Sequence, residues 1–278
     1  MKIIVESGAT KTDWRLITDG GQIRSASGPG LNPSVLDPGQ IGRIVGAVIP
    51  QLNPDGKSVD DIFFYGAGLV SDSAAAPLAE AFGMWCPFAR VEFHTDMLAA
   101  ARALFGDGSG VVAIMGTGSN SCLYENGSVV RNIRPGGFIL GDEGSGAALG
   151  KAFLSDYIKG LVPESLEKEF EEEFKLDYQN IVRKVYREPA PSAFLASFAP
   201  FLIAHDDDVY VDSLLEECVE AFVARSLSRY VKCSRAGVVG SFGYACAEYL
   251  RRAGARHGLE FTDFLKSPIE KLVEYHTK

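Results

Sequence analysis

Apolar and polar positions near the start of the chain switch between two periods. Lys2–Glu6 is a β-branched, apolar run that predicts a strand, and Asp13–Thr18 predicts a second. Asp19-Gly20-Gly21 reads as a hairpin turn, after which Gln22–Ala26 returns as a third strand. From Pro38 to Gln51 the apolar residues recur at helical spacing (Ile41, Ile44, Val45, Val48). A buried strand over Ile62–Tyr65 ends in Gly66-Ala67-Gly68. A helix over Ala74–Phe82, a strand over Val91–His94 and an alanine-rich helix over Met97–Phe105 follow, the last opened by Thr95 or Asp96. The order βββαβαβα is that of an α/β fold.

The pattern then restarts. Gly110–Met115 predicts a strand and Gly116-Thr117-Gly118-Ser119-Asn120 a turn of small residues. Ser121–Tyr124 predicts a strand, Glu125-Asn126-Gly127 a hairpin turn and Ser128–Ile133 a third strand. The small-residue turn Ser7-Gly8-Ala9-Thr10-Lys11-Thr12 and the first hairpin turn recur about 107–108 residues later, which implies two homologous halves. Beyond them lies a glycine-rich stretch, Pro135–Gly146, and then a helix over about Ala147–Leu161. Ser165–Glu188 is charged and helical, with an acidic run that reads as a solvated face. A long amphipathic helix over Asp208–Val231, a short strand at Gly237–Gly240, a helix from Ser241 through Arg252 and a strand at Leu259–Phe261 follow. A last helix runs through Tyr275, with Pro268 at its first position.

Composition narrows the function classes. With 46% apolar and 23% charged residues, the 278-residue chain has material for a sizeable core and is not disordered. Its net charge of −9 provides no basic footprint for nucleic acid or an anionic membrane, so phosphate must be held by backbone amides, a metal ion or a few local cations. No signal peptide or membrane helix is readable, and the five scattered cysteines read as reduced thiols, which together imply a cytoplasmic protein.

The two small-residue turns each end a first strand and aim unobstructed N–H groups outward, as phosphate-binding turns do. Thr10, Thr12, Thr117 and Ser119 add hydroxyl donors, and Lys11 adds a cation. Glu6, at the end of the first strand, is placed either to hold Mg²⁺ through water or to sit at a plain strand end. Asp96 stands between a strand and a helix, where open α/β sheets place their chemistry; it is a general base or an N-cap. Asp142, in Gly141-Asp142-Glu143-Gly144-Ser145, suits a sugar hydroxyl, a metal-bound water or a capping turn. His205-Asp206-Asp207-Asp208 looks like a metal cluster but better suits a helix cap.

Seven segments in order carry a family resemblance: VESGATKTDWRL at 5–16, GPGLNPS at 28–34, HTDMLAAARALF at 94–105, GTGSNS at 116–121, GGFILGDEGSGAALG at 136–150, VGSFGYACAEYL at 239–250 and SPIEKLVEY at 267–275. The chain resembles N-acetylglucosamine kinases and the related BadF/BadG/BcrA/BcrD-type ATPases of the actin/hexokinase/Hsp70 superfamily. The resemblance implies an α/β fold of two ribonuclease-H-like (actin-like ATPase) domains around an interdomain cleft. These would span residues 1–105 and 106–278, the second with helical insertions, and the last helix (about 267–275) could pack back on the first.

The same resemblance implies an ATP- and Mg²⁺-dependent kinase that phosphorylates a hydroxyl, the 6-OH, of an amino sugar. Thr10, Lys11 and Thr12 would form the first phosphate loop and Gly116, Thr117, Gly118 and Ser119 the second. Gly240 and Ser241 would lie against adenosine. Asp96 would be the catalytic base, Glu6 the acid near the metal, and Asn32, Asn120 and Asp142 sugar ligands, with Gly137 and Phe138 bordering the 2-substituent. A small-molecule sugar, neither nucleic acid nor membrane, is the implied partner, and a homodimer is compatible. Three features depart from the family: Ser7 and Ala9 replace glycines, Phe138 replaces a tryptophan, and the 136–142 segment is about two residues short. An ATPase that activates a partner enzyme and a non-catalytic sugar or nucleotide sensor are the alternatives.

Overall fold

A computed structural model describes residues 1–8, 10–69, 72–230 and 233–278, so Ala9 lies outside the described residues. The chain divides into two units, Met1–Asp107 with Pro268–Lys278, and Gly108–Ser267.

The first unit is built on strands β1 (Lys2–Ser7), β2 (Lys11–Ile17), β3 (Ile23–Pro29), β4 (Asp61–Gly66) and β5 (Arg90–Thr95). They form one sheet in the order β3-β2-β1-β4-β5. The hairpin-linked β1, β2 and β3 are antiparallel, while β1, β4 and β5 run parallel because a helix returns the chain each time. The helices are α1 (Pro38–Leu52), α2 (Asp72–Trp85) and α3 (Asp96–Phe105). Asp37 opens α1 with a reciprocal capping box to Gln40, and Pro38 sits in its first turn.

Alternation along the strands supplies two apolar faces. Ile3, Val5, Trp14, Leu16 and Phe64 pack with Ile41, Val45, Leu78 and Phe82 of α1 and α2. Ile4, Ile17, Phe63 and Tyr65 point the other way.

The second unit repeats the plan with β6 (Gly110–Met115), β7 (Ser119–Glu125), β8 (Ser128–Ile133), β9 (Arg235–Val239) and β10 (Glu260–Leu265), ordered β10-β9-β6-β7-β8. Again the first three strands are antiparallel and the last two parallel. The matching strand order in both units agrees with the two halves read from the repeat and is the ribonuclease-H-like arrangement that the family resemblance implies. The helices are α4 (Gly137–Leu140), α5 (Gly146–Tyr157), α6 (Glu164–Phe174), α7 (Tyr178–Tyr186), α8 (Pro191–Ala196), α9 (Ala199–Ala204), α10 (Val209–Arg225), α11 (Ser241–Ala245) and α12 (Ala247–His257). The last helix, α13 (Ile269–Thr277), belongs to the first unit, where Ile269, Leu272 and Val273 join Ala99 of α3 over the second face of the sheet.

Several elements differ from their sequence reading. Ser119 and Asn120 open β7, paired with Met115 and Ile114, so the second turn is only Gly116-Thr117-Gly118. Helix α5 stops at Tyr157, before Gly160 at a φ of +66°. Helix α10 ends at Arg225 and passes into a 3₁₀ turn over Leu227–Arg229; Val231 lies outside the described residues. The helix read from Ser241 onward is two helices, and Pro268 caps α13 rather than opening it. Asp208 caps α10, accepting the N–H groups of Tyr210 (2.8 Å) and Val211 (3.4 Å), and His205 pairs with Glu169. No helix among the described residues is long and apolar enough to cross a membrane.

Candidate active site

In the first unit the β1–β2 hairpin sets Glu6 opposite Asp13 and Ser7 opposite Thr12. The turn closes with the Gly8 N–H donating to the Lys11 carbonyl at 2.9 Å. Ser7 does not crowd this turn. Its hydroxyl is buried, accepting the Leu31 N–H at 2.9 Å and donating to the Gly8 carbonyl. The Thr12 hydroxyl is also spent inside the sheet: it donates to the Pro29 carbonyl at 3.1 Å and accepts from Trp14 Nε1 at 2.8 Å. The expected phosphate-donating role of that hydroxyl is therefore corrected, because a fully buried group with both functions used offers a ligand nothing. Thr10 and Lys11 remain exposed, and Lys11 Nζ lies 2.9 Å from Asp13 Oδ1.

Three carboxylates share this corner. Burial is the main cause that lifts Glu6 to about 7, with the charges of Asp13 and Asp96 adding and Lys11 opposing. Burial also raises Asp96 above the usual carboxylate range. The capping alternative for Asp96 fails, because Thr95 is the N-cap of α3 and its Oγ1 accepts the Leu98 N–H at 3.2 Å. Asp96 Oδ1 accepts its neighbour's N–H, from Met97, at 2.8 Å. Asp13 was missed in the sequence. Its signal was available in the hairpin register, which puts it directly across from Glu6, and its Oδ1 is further fixed by Ser27 Oγ at 2.9 Å. Among the described residues no group of three His, Cys, Asp or Glu side chains is gathered to grip a metal directly.

Asn32 is set by an Asx turn, its Oδ1 accepting the Ser34 N–H at 2.9 Å. Ser34 Oγ in turn donates to the Gly68 carbonyl at 3.0 Å. Gly68 has a φ of +83°, and a Cβ there would lie 2.0 Å from Asn32 Oδ1, so only glycine leaves the asparagine its place.

In the second unit the glycine turn is stitched to the start of α5. Gly146 N–H donates to the Gly116 carbonyl (2.9 Å) and Ala147 N–H to the Thr117 carbonyl (3.1 Å). Ser119 Oγ donates inward to the Glu143 carbonyl at 2.7 Å, so its expected role as a phosphate donor is corrected as well. The Asp142 carboxylate accepts the N–H groups of Ser119 and Gly137, and burial raises its pKa despite them. A Cβ on Gly118 would come within 2.9 Å of that carboxylate, so turn and carboxylate are packed together. Asn120 Oδ1 accepts from the Ser121 N–H and Asn132 Nδ2, both at 2.9 Å, which leaves its amide N–H₂ for a ligand. The Phe138 side chain packs on the core, while its carbonyl accepts Lys151 Nζ at 2.9 Å.

A cavity of about 410 Å³ joins several of these parts. Gly116 and Thr117 of the turn, Gly146 of α5 and Ser241 of α11 line it, with Ala199, Pro200 and Ile203 of α9 as apolar wall. Gly240, just before Ser241, is pressed against β6: a Cβ there would lie 2.2 Å from the Met115 carbonyl oxygen. The α8 and α9 residues in this wall had no sequence signal, since prolines and alanines without strong periodicity read as loop.

No family model matches the sequence, and no curated protein matches it. Among solved structures, a candidate N-acetylglucosamine kinase from Porphyromonas gingivalis is 38% identical, over 99% of this chain and 98% of that one, with a TM-score of 0.94. The chain belongs to the N-acetylglucosamine kinase family. A second candidate N-acetylglucosamine kinase, from Chromobacterium violaceum, is 21% identical over 99% of this chain and 98% of that one, at a TM-score of 0.75. A ROK family glucokinase from Streptomyces griseus, solved with glucose and AMPPNP, is 17% identical over 99% and 97%, at a TM-score of 0.61. Both of these share the fold. As a member of the N-acetylglucosamine kinase family the chain is an ATP-dependent carbohydrate kinase.

Proposed function

We propose that this kinase transfers the γ-phosphoryl group of ATP to the 6-hydroxyl of an amino sugar of the N-acetylglucosamine class. The observation that carries the reading is the apolar cavity lined by Gly116, Thr117 and Ser241. Its wall of small and apolar residues suits a purine, and its glycine turn suits the phosphates. Lys11, Thr10 and the backbone N–H groups of both turns would steady the phosphate oxygens, with Thr117 adding its hydroxyl.

The residues present fit Mg²⁺. Burial, with the charges of Asp13 and Asp96 adding to it, raises Glu6 to about 7, and a divalent cation would relieve that gathering of carboxylates. Glu6, with Asp13 beside it, would hold the ion through water, as Mg²⁺ prefers. When bound, Mg²⁺ neutralises phosphate charge. Asn32, Asn120 and Asp142 would orient the sugar hydroxyls, with Gly137 and Phe138 beside the 2-substituent. Asp96 would accept the proton of the attacking hydroxyl, and burial makes it the stronger base for that task. The transition state of phosphoryl transfer is loose, so alignment and charge placement carry the catalysis.

The test is ADP release with N-acetylglucosamine, its 6-deoxy analogue, glucosamine, N-acetylmannosamine and glucose. N-acetylglucosamine should turn over and its 6-deoxy analogue should not. Asp96→Asn should fold normally and lose about 10²–10⁴-fold in kcat, the usual worth of a positioned base. Full turnover by that variant removes Asp96 from the role.

A further inference from the structure

A second cavity of the Gly108–Ser267 unit, about 550 Å³, shares no lining residue with the nucleotide cavity. Its walls are apolar side chains of α5, α7 and α8, among them Leu154, Ile181, Val182, Val185 and Leu195. Phe138 and Ile139 of α4 complete it, and Tyr178 and Tyr186 stand at its exposed rim. The volume lies within the roughly 300–1,000 Å³ of small-molecule sites.

The charges around it run against the rest of the chain. The protein carries 36 Asp+Glu against 27 Lys+Arg, yet the described residues that line this cavity include Lys151 and Lys159 and no carboxylate. Both ammonium groups rest on neutral acceptors: Lys151 Nζ on the Phe138 carbonyl at 2.9 Å and Lys159 Nζ on Ser155 Oγ at 3.1 Å. By contrast, Arg183 and Lys184 of α7 are both paired with Glu188. Neither lysine is in a salt bridge, although Lys151 feels the Asp142 carboxylate, and two such cations set on an apolar hollow are complementary to an anionic head on an apolar body.

We propose that this cavity binds an amphiphilic carboxylate, an acyl or aryl chain ending in a single anionic group. The chain displaces water from the α5–α7–α8 wall, and the carboxylate takes the charge-assisted hydrogen bonds of Lys151 and Lys159. Lys151 also holds the Phe138 carbonyl, so the ligand meets the short helix that precedes Asp142.

The test uses the full chain and 8-anilinonaphthalene-1-sulfonate, whose fluorescence rises in an apolar site. One equivalent should bind. Decanoate should displace it, and decanol, the same chain without the charge, should be at least about 10-fold weaker, in line with the loss of charge-assisted hydrogen bonds. Lys151→Met/Lys159→Met keeps the apolar stems and should weaken decanoate about 10-fold or more while leaving decanol unchanged. Val182→Asp should abolish binding of both anions. Equal displacement by decanol and decanoate, or decanoate binding untouched by the double lysine variant, overturns the proposal. So does a ligand-free dimer that Val182→Asp converts to monomer, since a second copy of the chain would then be the occupant.

Discussion

Gly68→Ala probes how the fold places Asn32. Gly68 has a φ of +83°, and its new methyl would lie 2.0 Å from Asn32 Oδ1 and 2.8 Å from Ser34 Oγ. Alanine in the left-handed region costs about 1–2 kcal/mol. Turning Asn32 away forfeits the Ser34 N–H bond, worth about 0.5–1.5 kcal/mol. The two together come to about 2–3 kcal/mol against the arrangement that presents Asn32. If the sugar reads that arrangement, its KM rises about 30- to 150-fold, at about 1.4 kcal/mol per decade. The KM for ATP stays where it was. The assay is coupled ADP release with sugar and ATP titrated separately, with urea unfolding followed in parallel. Gly83→Ala is the matched control: Gly83 is exposed in α2 with open space around its Cβ position, so alanine there should stabilise by about 0.5–1 kcal/mol and leave both KM values alone. Gly68→Ala kinetics indistinguishable from wild type, or a joint rise of both KM values, would refute the reasoning.

Asp13→Asn removes a charge that raises Glu6, so Glu6 stays ionised to lower pH and the acid limb of kcat/KM should move downward; an unmoved limb measured at saturating Mg²⁺ rules this out. His276 is pushed down to about 4, chiefly by burial, and stacks on Phe63. A depressed histidine favours the folded state above its ordinary value of 6.5 and loses that advantage as pH falls towards 4. Wild type should therefore lose about 1–2 kcal/mol more than His276→Gln between pH 7 and 4.5, after allowance for solvent screening, as read by urea unfolding at both pH values. Tyr230→Phe strips the hydroxyl that donates to the Ser121 carbonyl and accepts the Ile133 N–H at 3.0 Å; the buried groups left behind should cost about 1–3 kcal/mol, and an unchanged unfolding midpoint counts against it.

The repeated strand plan was legible because hairpins advertise themselves. Asp19-Gly20-Gly21 and Asn126-Gly127 are turn residues with a mechanism, and Gly21, Asn126 and Gly127 do adopt positive φ. Polar residues at strand starts were not legible: Ser119 and Asn120 have the composition of a turn, yet pair with Met115 and Ile114. Periodicity also overran α10, since it gives no sign that the chain bends at Ser226 so that the Tyr230 hydroxyl can reach Ser121 and Ile133. At the candidate site, residue type and position were readable, but the direction of a hydroxyl was not. Thr12 and Ser119 look like phosphate donors in the sequence, yet in the fold their buried hydroxyls turn onto the Pro29 and Glu143 carbonyls. The α9 wall of the 410 Å³ cavity was invisible for a different reason: Ala199, Pro200 and Ile203 line it as small or apolar residues, and such residues carry no chemical signature.

Helix α13 has a consequence for how the protein is made. Residues 108–267 emerge from the ribosome as a continuous stretch and can fold as soon as they are clear. The first unit cannot follow that order, because Ile269, Leu272 and Val273 cover Ile4, Ile17 and Phe63, which are translated more than two hundred residues earlier. Throughout that interval the part of this face that α13 covers beside α3 is exposed and open to aggregation or to a chaperone. Ribosome-stalled chains released before residue 269 should bind holdases through that face, and chains carrying α13 should not.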